Sequence, residues 1–427
     1  MRIKHNFQKS INMNLMSRTA KLFQKKNLRY PQKRTKHDHT GRHAPLTQLS
    51  KDERDLQDNV AKFARTSIAP YVREMEKDGE IKQSVIDACF KNGLFGLGID
   101  EKYGGIGSDF MRSIIAIEQI AKVDPAVSVP IDIQITLVNT ILMKLGTEEQ
   151  KRMYLPRLAN DTIGAFALSE PTSGSDAFAM KTLAKKDGSD YILNGTKMWI
   201  SSAGIAGLFI VMANADPSKG YKGITCFIVE RDSPGLTVGK PEIKLGICAS
   251  GTHPVHFDNV RVPEISILGE VGQGYKIVAG SLNEGRIGIA AQQLGIAQGC
   301  LDATVPYTLE RIQFKQPIFN FQGLQYQIAK IATHIECARL LTYNAARLVE
   351  SKTDFLKQAS MAKYYSAEVA QHTCTKCIDW LGGVGFTKAF IQEKMYRDCK
   401  IGSIYEGTYN IQMNTIAKCI EKEYKNM

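Results

Sequence analysis

The stretch that decides the fold is Ala167-Leu-Ser-Glu-Pro-Thr-Ser-Gly-Ser-Asp-Ala-Phe-Ala179, a run of hydroxyl and turn-forming residues. Such residues predict a loop, and the backbone N–H groups of Ser173, Gly174 and Ser175 can receive an anion. An ordinary surface turn has the same composition, so this segment alone does not identify a site. Its meaning depends on what surrounds it in the chain.

The chain on either side of this loop changes character twice. Residues 45–160 follow a helical period, opened by the capping-box pair Ser50 and Glu53. Residues 161–275 contain short β-rich runs, and Asn194-Gly195 predicts a hairpin turn between two of them. From residue 276 to 427 the helical period returns and predicts a helical bundle. An α–β–α order with a small barrel or sandwich in the middle is uncommon, and it is therefore informative.

The positive charge of the chain is concentrated at its start. The formal net charge is +12, and residues 1–44 hold twelve Lys or Arg and one acid, Asp38, so they carry +11 of it. The rest of the chain is close to neutral, which excludes a basic nucleic-acid-binding face. A basic, amphipathic leader that is poor in acids is typical of a mitochondrial transit peptide. A disordered basic tail or a nuclear tag is the alternative.

Several other site classes are not predicted. No run of 18 or more apolar residues occurs, so no membrane span is expected. The nine cysteines are scattered and odd in number, which favours reduced thiols over a disulfide framework. Cys374-Thr-Lys-Cys377 fits one face of a helix as packed residues, and His253 and His256 lack a third ligand, so no metal site is expected.

Two later segments carry weak signals of their own. Asp379-Trp-Leu-Gly-Gly-Val-Gly-Phe386 is dense in glycine, which allows close approach of the backbone to a ligand or another chain. Ile404-Tyr-Glu-Gly-Thr-Tyr-Asn-Ile411 places Glu406 near a helix start, where it can face a ligand. For either segment taken alone, a structural turn and a solvated glutamate are the simpler explanations.

In this order, the three segments resemble the acyl-CoA dehydrogenase family over residues 47–427. The first matches the family pattern that ends in Gly-Ser-Asp. The second matches its Gly-Gly-x-Gly pattern, continued by Lys394 and Asp398, and the third matches the segment with the catalytic glutamate. Segments 282–291, 338–347 and 359–365 are similar to the short/branched-chain branch. The resemblance implies an α+β fold with an N-terminal α-helical domain (45–160), a middle β-barrel domain (161–275) and a C-terminal four-helix bundle domain (276–427).

The resemblance also implies the chemistry. The expected reaction is FAD-dependent α,β-dehydrogenation of a short or branched acyl-CoA of the 2-methylbutyryl or isobutyryl type, with electrons passed to electron-transferring flavoprotein. Glu406 is implied as the base that takes the α-proton. Its backbone N–H, with a flavin ribityl hydroxyl, is implied as the donor to the thioester oxygen. Burial of the carboxyl is expected to raise its pKa toward the working range of a base.

The implied binding residues come from the same resemblance. The residues implied to contact FAD are Phe166, Leu168, Ser169, Gly174, Ser175, Trp199, Ile200, Ser201, Arg311, Gln322, Asp379, Trp380, Leu381, Gly382, Gly383, Thr408, Tyr409 and Asn410. The residues implied to contact acyl-CoA are Ser175, Tyr221, Tyr275, Asn283, Glu284, Gly285, Arg286 and Gly407. Arg311, Gln322 and the segment 379–383 are expected to reach the FAD of a neighbouring subunit. That contact implies at least a dimer, and the family is usually tetrameric.

Some family members carry the base immediately before the arginine of the Asn283–Arg286 segment. Here that position is Gly285. Glu284 is one residue away, a rotation of about 100° on a helix, so it is expected to point elsewhere. The chain also departs from the family pattern at Lys315, where glycine is common, and at Ala389, where an acid is usual. If position 315 requires a positive φ, lysine costs roughly 1 kcal/mol there.

Three alternatives keep the same fold. An enoyl-CoA reductase would run the reaction in reverse, a non-catalytic member would act as an assembly factor, and an acyl-CoA oxidase would belong to a group of much longer chains. The retained Glu406 and Arg311 argue against the non-catalytic alternative. The expected location is the mitochondrial matrix.

Overall fold

A computed structural model describes residues 46–426, and the predicted leader, residues 1–44, lies outside them. Within the described residues the chain runs from helices through strands to helices, the order that the sequence predicts. The helices before the first strand are α1 (Lys51–Phe63), α2 (Val72–Asp78), α3 (Gln83–Lys91), α4 (Phe110–Ala121), α5 (Pro125–Asp132), α6 (Thr140–Leu145) and α7 (Glu148–Asn160). A π-helical stretch, Ile133–Asn139, joins α5 to α6.

The predicted capping box opens α1. The backbone N–H of Glu53 donates to the Ser50 hydroxyl at 3.2 Å, and the backbone N–H of Ser50 donates to the Glu53 carboxylate at 2.7 Å. These two bonds satisfy backbone donors that have no partner inside the helix. Arg347 reaches the same carboxylate at 2.6 Å, so the cap also ties the first helix to the C-terminal region.

The middle of the chain forms one mixed sheet. Its strands are β1 (Ile163–Ala167), β2 (Leu183–Asp187), β3 (Asp190–Ser201), β4 (Ala206–Asn214), β5 (Ile224–Glu230), β6 (Leu236–Val238), β7 (Thr252–Pro263) and β8 (Ile267–Leu268). They lie in the order β6-β7-β3-β2-β4-β5-β8, with β1 parallel to β4. β4 is buried on both faces: Phe209 and Val211 pack inside the curled sheet, whereas Leu208 and Ile210 pack against helices.

The hairpin predicted at Asn194-Gly195 is wrong, because β3 runs through both residues without turning. Gly195 instead lies at a register shift where β3 pairs with β7. A Cβ at Gly195 would come within 2.5 Å of the Thr182 hydroxyl, so glycine is needed there for close approach. The turn lies at Gly188, where φ is +64°, between β2 and β3.

Long helices make up the C-terminal region. They are α8 (Gly274–Glu310), α9 (Gln322–Glu350), α10 (Leu356–Leu381), α11 (Gln392–Cys399) and α12 (Tyr409–Lys425), with a two-residue-strand hairpin of β9 (Ile312–Gln313) and β10 (Gln316–Pro317) between α8 and α9. α8, α9 and α10 pack along one another, and α12 packs on α10. The predicted apolar stripe of α9 is buried at Ile328, Ile331 and Ala338. The predicted fold class is therefore confirmed.

Two sequence observations have simple structural outcomes. Cys374 and Cys377 are buried in the bundle core, as expected for packed residues, and all nine cysteines are free. One segment, Pro125–Leu145, is long and apolar enough to cross a membrane, and 83% of its most apolar window is buried inside the protein. A core helix of a folded domain has the same two properties.

Candidate active site

The segment between α11 and α12 carries a strained turn at Glu406 and Gly407. Glu406 has φ of +51° and Gly407 has φ of +89°. A left-handed conformation costs a residue with a side chain about 1–2 kcal/mol, so the surrounding structure must hold it. Such strain in a non-glycine residue is common at functional sites.

Two side chains hold the turn by its carbonyl groups, one from a distant helix and one from the helix that follows the turn. The Lys363 ammonium on α10 donates to the Gly407 carbonyl at 2.7 Å. The Gln412 amide, in the first turn of α12, donates to the Glu406 carbonyl at 3.0 Å and to the Gly407 carbonyl at 2.9 Å. The Thr408 hydroxyl caps α12 immediately afterwards. The conformation of the turn is therefore fixed from both sides.

The Glu406 carboxyl points into the protein toward α8. A Cβ at Gly285 would lie 2.9 Å from Glu406 Oε2, so the absence of a side chain at 285 makes room for this carboxyl. Within residues 46–426, Glu406 Oε2 is buried without a hydrogen-bond partner. A buried carboxylate oxygen that lacks a partner is costly, and it is available to accept a proton from a ligand.

A second carboxyl lies one helical turn further along the same face of α8. A Cβ at Gly288 would meet Asp132 Oδ1 at 1.9 Å, and the Thr136 hydroxyl donates to that oxygen at 3.1 Å. Gly285 and Gly288 are three residues apart and therefore share a face of the helix. This face of α8 thus accommodates the carboxyls of Glu406 and Asp132 side by side.

Charged groups from three helices surround Glu406. Burial raises the pKa of the Glu406 carboxyl to about 7, although the cations Lys363 and Arg286 act to lower it. Burial lowers the pKa of Lys363 to about 7, and the Glu406 charge opposes this effect. Burial, together with the Glu406 charge, raises the pKa of Asp132 well above its usual range. A carboxyl with a pKa near neutrality is suited to act as a general base.

The residue next to Gly285 on each side has a separate role. Glu284 is buried and pairs with Lys144 on α6, so its carboxylate is directed away from Glu406, as the helical rotation predicts. Arg286 is buried and donates to Asn283 at 3.0 Å and to the Ser360 hydroxyl at 3.2 Å. Its Nε has no partner among the described residues.

The loop after β1 is held by a buried ion pair. Lys197 on β3 donates to Glu170 at 2.8 Å and to the Leu168 carbonyl at 2.9 Å, with both charged side chains almost fully buried. Glu170 also accepts from the backbone N–H groups of residues 181 and 182, at 2.6 Å and 3.0 Å. The pair fixes both ends of the loop, while Gly174 and Ser175 at its tip stay exposed.

The same ion pair brings the loop next to Trp199. The Met198 backbone N–H donates to the Ser169 carbonyl at 2.8 Å, which places residues 166–169 beside residues 199–201. Trp199 has φ of +65° and is 57% exposed, although it lies within a strand. The indole therefore presents a large flat surface to solvent next to the loop.

Another cluster forms at the start of α8. The rings of Tyr221 and Tyr275 meet edge to face at 5.2 Å, and Phe178 lies 6.1 Å from Tyr221. An adjoining cleft is lined by Tyr275, by the three lysines Lys186, Lys219 and Lys222, and by Asp216, which pairs with Lys219 at 2.9 Å. Aromatic faces beside several ammonium groups suit a ligand with an aromatic ring and phosphates.

Comparison with known proteins identifies the family. Residues 50–162, 165–260 and 272–421 match the N-terminal, middle and C-terminal domains of acyl-CoA dehydrogenase, respectively. The chain belongs to the acyl-CoA dehydrogenase family. It is 58% identical over 381 residues to the mitochondrial short/branched chain specific acyl-CoA dehydrogenase of Bos taurus, covering 89% of this chain and 88% of that relative.

Two further comparisons differ in the named activity. The structure of butyryl-CoA dehydrogenase from Megasphaera elsdenii has a TM-score of 0.86 and 37% identity, covering 87% of this chain and 99% of that one. The caffeyl-CoA reductase-Etf complex subunit CarC of Acetobacterium woodii is 40% identical over 351 residues, covering 82% of this chain and 93% of that relative. The family resemblance deduced from the three sequence segments is thus confirmed.

Most of the remaining acyl-CoA dehydrogenase positions lie on the surface of this chain, and two are buried. Arg311, Gln322, Asp379, Gly382 and Gly383 are exposed. A Cβ at Gly382 or Gly383 would meet no atom within 4 Å, so the surface there is open. Trp380 and Leu381 are buried, and Trp380 donates to Gln327 at 3.2 Å. Tyr409 and Asn410 are exposed at the start of α12.

The acyl-CoA dehydrogenase motifs did not point to several residues that shape the site. These are Asp132, Lys197, Lys363 and Gln412; Glu170 lies within the first motif, but its partner Lys197 lies outside it. An isolated Lys or Gln in a helical segment usually lies in solvent, so its type carries no signal. Lys363 lies within the family-like segment 359–365, but only the fold reveals that Gly407 is its partner.

The departure from the acyl-CoA dehydrogenase pattern at Lys315 has a measurable consequence. Phe314 and Lys315 form the two-residue turn between β9 and β10, with φ of +49° and +64°. Such turns favour glycine at the second position. We expect Lys315→Gly to raise the free energy of unfolding by about 1 kcal/mol in urea titrations. Gln316→Gly, at the adjacent strand position, is the control and is expected to lower it; a loss of stability in Lys315→Gly would contradict the prediction.

Proposed function

We propose that this protein is an FAD-dependent acyl-CoA dehydrogenase that desaturates short, 2-methyl-branched acyl-CoA thioesters of the 2-methylbutyryl or isobutyryl type, with Glu406 as the base. The observation that carries the proposal is the Glu406 carboxyl, buried against Gly285 with one oxygen unpartnered. The branched substrate class rests on the 58% identity to the bovine short/branched chain enzyme.

The reaction requires a proton to leave the α-carbon of a thioester. Glu406 accepts this proton on Oε2, and the pKa of about 7 gives the carboxylate a basicity that an exposed glutamate lacks. The backbone N–H of Glu406 donates to the thioester oxygen and stabilises the negative charge that develops there. The left-handed turn fixes this N–H and the carboxyl relative to each other.

FAD is the cofactor, and the chemistry of the available residues fits it. Bound FAD supplies the acceptor for the hydride equivalent that leaves the β-carbon. Phe166–Ser169 and Trp199–Ser201, which a backbone hydrogen bond holds together, would line one side of the cofactor, and Thr408–Asn410 at the start of α12 would contact it as well. Arg311 offers a planar fork that pairs with two pyrophosphate oxygens. Gly382 and Gly383 leave their backbone open to a ligand.

Acyl-CoA has its own set of contacts. Tyr221, Tyr275 and the adjoining lysine-lined cleft suit the adenine and phosphates of coenzyme A. Arg286, whose charge acts on Glu406, donates to Asn283, so both residues would contact the acyl-CoA near its thioester, together with Gly407 of the turn. Ser175, at the exposed tip of the loop after β1, is shared by the cofactor and substrate sites.

The wider setting follows from the same family. We place the domain boundaries near residues 160 and 275, with a transit peptide before residue 45 and the mature enzyme in the mitochondrial matrix. Electron-transferring flavoprotein is the electron acceptor.

The exposed Ile312, Phe314 and Phe386 lie near Arg311 and Gly382 along the chain. Their exposure supports an oligomer in which Arg311 and Gln322 reach the FAD of a second subunit. This oligomer is at least a dimer, and a tetramer is expected because the family is usually tetrameric.

A substrate series tests the proposal. The purified full chain should show a flavin spectrum, and anaerobic 2-methylbutyryl-CoA or isobutyryl-CoA should bleach it. Butyryl-CoA and isovaleryl-CoA should bleach it about 10- to 100-fold more slowly, because one methyl group in a pocket contributes about 1–3 kcal/mol. Protein that takes up no FAD, or FAD-bound protein that no acyl-CoA bleaches, contradicts the proposal. Faster bleaching by butyryl-CoA contradicts only the branched substrate.

The reductase of Acetobacterium woodii makes the reverse direction the second hypothesis. The same residues would then return a proton from Glu406 to the α-carbon of an enoyl-CoA. Reduced enzyme mixed anaerobically with a 2-methyl-branched enoyl-CoA measures this rate directly. Reoxidation much faster than bleaching by the saturated thioester would favour the reductase.

A further inference from the structure

Lys363 occupies a position that its charge alone would not predict. Its side chain is 1% exposed in the middle of α10, and its ammonium donates to the Gly407 carbonyl at 2.7 Å. Lysine is seldom buried so completely unless its ammonium is paired with a hydrogen-bond acceptor or an opposite charge. The partner here is the backbone of the strained turn, which suggests that the lysine serves the turn and not the packing of α10.

Lys363 and Gln412 both donate hydrogen bonds to the carbonyl groups of the turn. Gln412 reaches both carbonyl groups from within α12, and Lys363 reaches the second from a different helix. Because Gln412 belongs to the same segment as the turn, it cannot fix the turn relative to the rest of the bundle. The bond from Lys363 does so, since α10 packs along α8, where Gly285 faces the Glu406 carboxyl.

The charge of Lys363 acts on the same carboxyl. Lys363 on α10 and Arg286 on α8 both stabilise the ionised form of Glu406. Asp132 on α5 and Tyr405, the residue before Glu406, are the other titratable groups that face this region. Arg286 is already bound to Asn283 and Ser360, whereas the hydrogen bond of Lys363 leads to the turn itself.

We propose that Lys363 is a positioning residue for the reaction, which anchors the Glu406–Gly407 turn to α10 and thereby sets the position of the Glu406 carboxyl against Gly285. This inference rests on the proposed role of Glu406 as the base. It separates into two effects. The hydrogen bond sets the position of the carboxyl, and the positive charge, which Lys363 itself loses as the pH rises past about 7, lowers the pKa of that carboxyl.

Two substitutions distinguish these effects. Lys363→Gln keeps a hydrogen-bond donor and removes the charge, and Lys363→Met removes both. Lys357→Met is the matched control, because Lys357 lies on the same helix but pairs with Glu423 at the surface. The rate of flavin bleaching per bound flavin is measured from about pH 5.5 to about pH 9, with flavin content and thermal unfolding recorded for each variant.

The expected results differ between the variants. In Lys363→Gln the midpoint of the pH profile moves upward by about one unit, while the rate at high pH stays within a few-fold of wild type. In Lys363→Met the midpoint moves likewise, and the rate at high pH falls by roughly 10- to 100-fold, since a small displacement of a reacting group costs that much. Lys357→Met leaves both values unchanged.

Hydrogen–deuterium exchange gives a readout that does not depend on turnover. The peptide spanning residues 404–412 should exchange faster in Lys363→Met than in wild type or Lys357→Met, with or without FAD. If Lys363→Met lowers only thermal stability and flavin content, with the midpoint, the rate per flavin and the exchange at 404–412 unchanged, Lys363 is merely structural and the proposal is overturned. If wild-type flavin is not bleached at all, the proposed function has failed instead.

Discussion

Glu406→Gln is expected to lower the rate of flavin bleaching by at least about 10³-fold, because it removes the base and leaves the rest of the turn in place. Glutamine has nearly the same shape as glutamate, so FAD binding should persist. The rate per bound flavin is measured anaerobically with 2-methylbutyryl-CoA. Glu421→Gln on α12 is the control, since Glu421 pairs with Lys425 at the surface. FAD-loaded Glu406→Gln that bleaches at the wild-type rate would remove Glu406 from the mechanism.

Although Glu406→Gln is expected to lower the rate, it is expected to increase the stability of the folded protein. Burial raises the pKa of Glu406 from 4.5 to about 7 in the folded protein, so the folded state binds the proton more tightly than the unfolded state does. The stability that comes from this protonated carboxyl is present below the unfolded pKa and is lost as the pH rises toward 7. Glu406→Gln should therefore stabilise the protein more at pH 8 than at pH 5 in thermal unfolding. Equal effects at both pH values would mean that the carboxyl is not desolvated.

Lys394→Met is expected to lower the free energy of unfolding by about 3–5 kcal/mol, the largest stability effect predicted here. Lys394 pairs with Asp124 at 3.0 Å and with Asp398 at 2.5 Å, and all three side chains are fully buried. Without the ammonium, two carboxylates remain inside the protein with no compensating charge. Asp398 also accepts from the Ile247 backbone N–H, so the loss reaches the loop before β7.

Urea titration of Lys394→Met beside Lys388→Met provides the measurement, because Lys388 is exposed and its loss should change stability by less than about 0.5 kcal/mol. A loss below about 1 kcal/mol in Lys394→Met would show that the two carboxylates accept protons or water at little cost. The pair Lys394 and Asp398 was visible in sequence as a continuation of the glycine-rich segment, but nothing there pointed to Asp124.

The sequence predicted what depends on local pattern. Ser50 and Glu53 form their capping box because both partners lie within one helical turn. The helix–sheet–helix order follows from the change in hydrophobic period near residues 161 and 276. Asn194-Gly195 shows the limit of such reasoning. A dipeptide typical of hairpins is also what a strand needs where another chain segment approaches too closely for a side chain.

The residues of the site were likewise predictable only where a local motif marks them. Glu406 was predicted as the base from its motif, and Gly285 was singled out from the position of an alternative base. Lys363 and Lys197 were not identified, because their roles depend on partners 44 and 27 residues away. A buried lysine and an exposed one look the same in a single sequence. The positive φ at Lys315 was anticipated only as a condition, since a backbone angle has no signature in the side chain that tolerates it.

The exposed hairpin of residues 312–317, which follows Arg311 on the surface, has a consequence for the behaviour of the enzyme in dilute solution. If Arg311 completes the cofactor site of a second subunit, assembly and cofactor binding form one linked equilibrium, and each strengthens the other by the same factor. Dilution then removes flavin as well as partner, and the yellow colour of a sample reports how much of it is assembled. Damage confined to this hairpin would appear as a flavin content that depends on protein concentration, with chemistry of normal speed in the molecules that remain coloured.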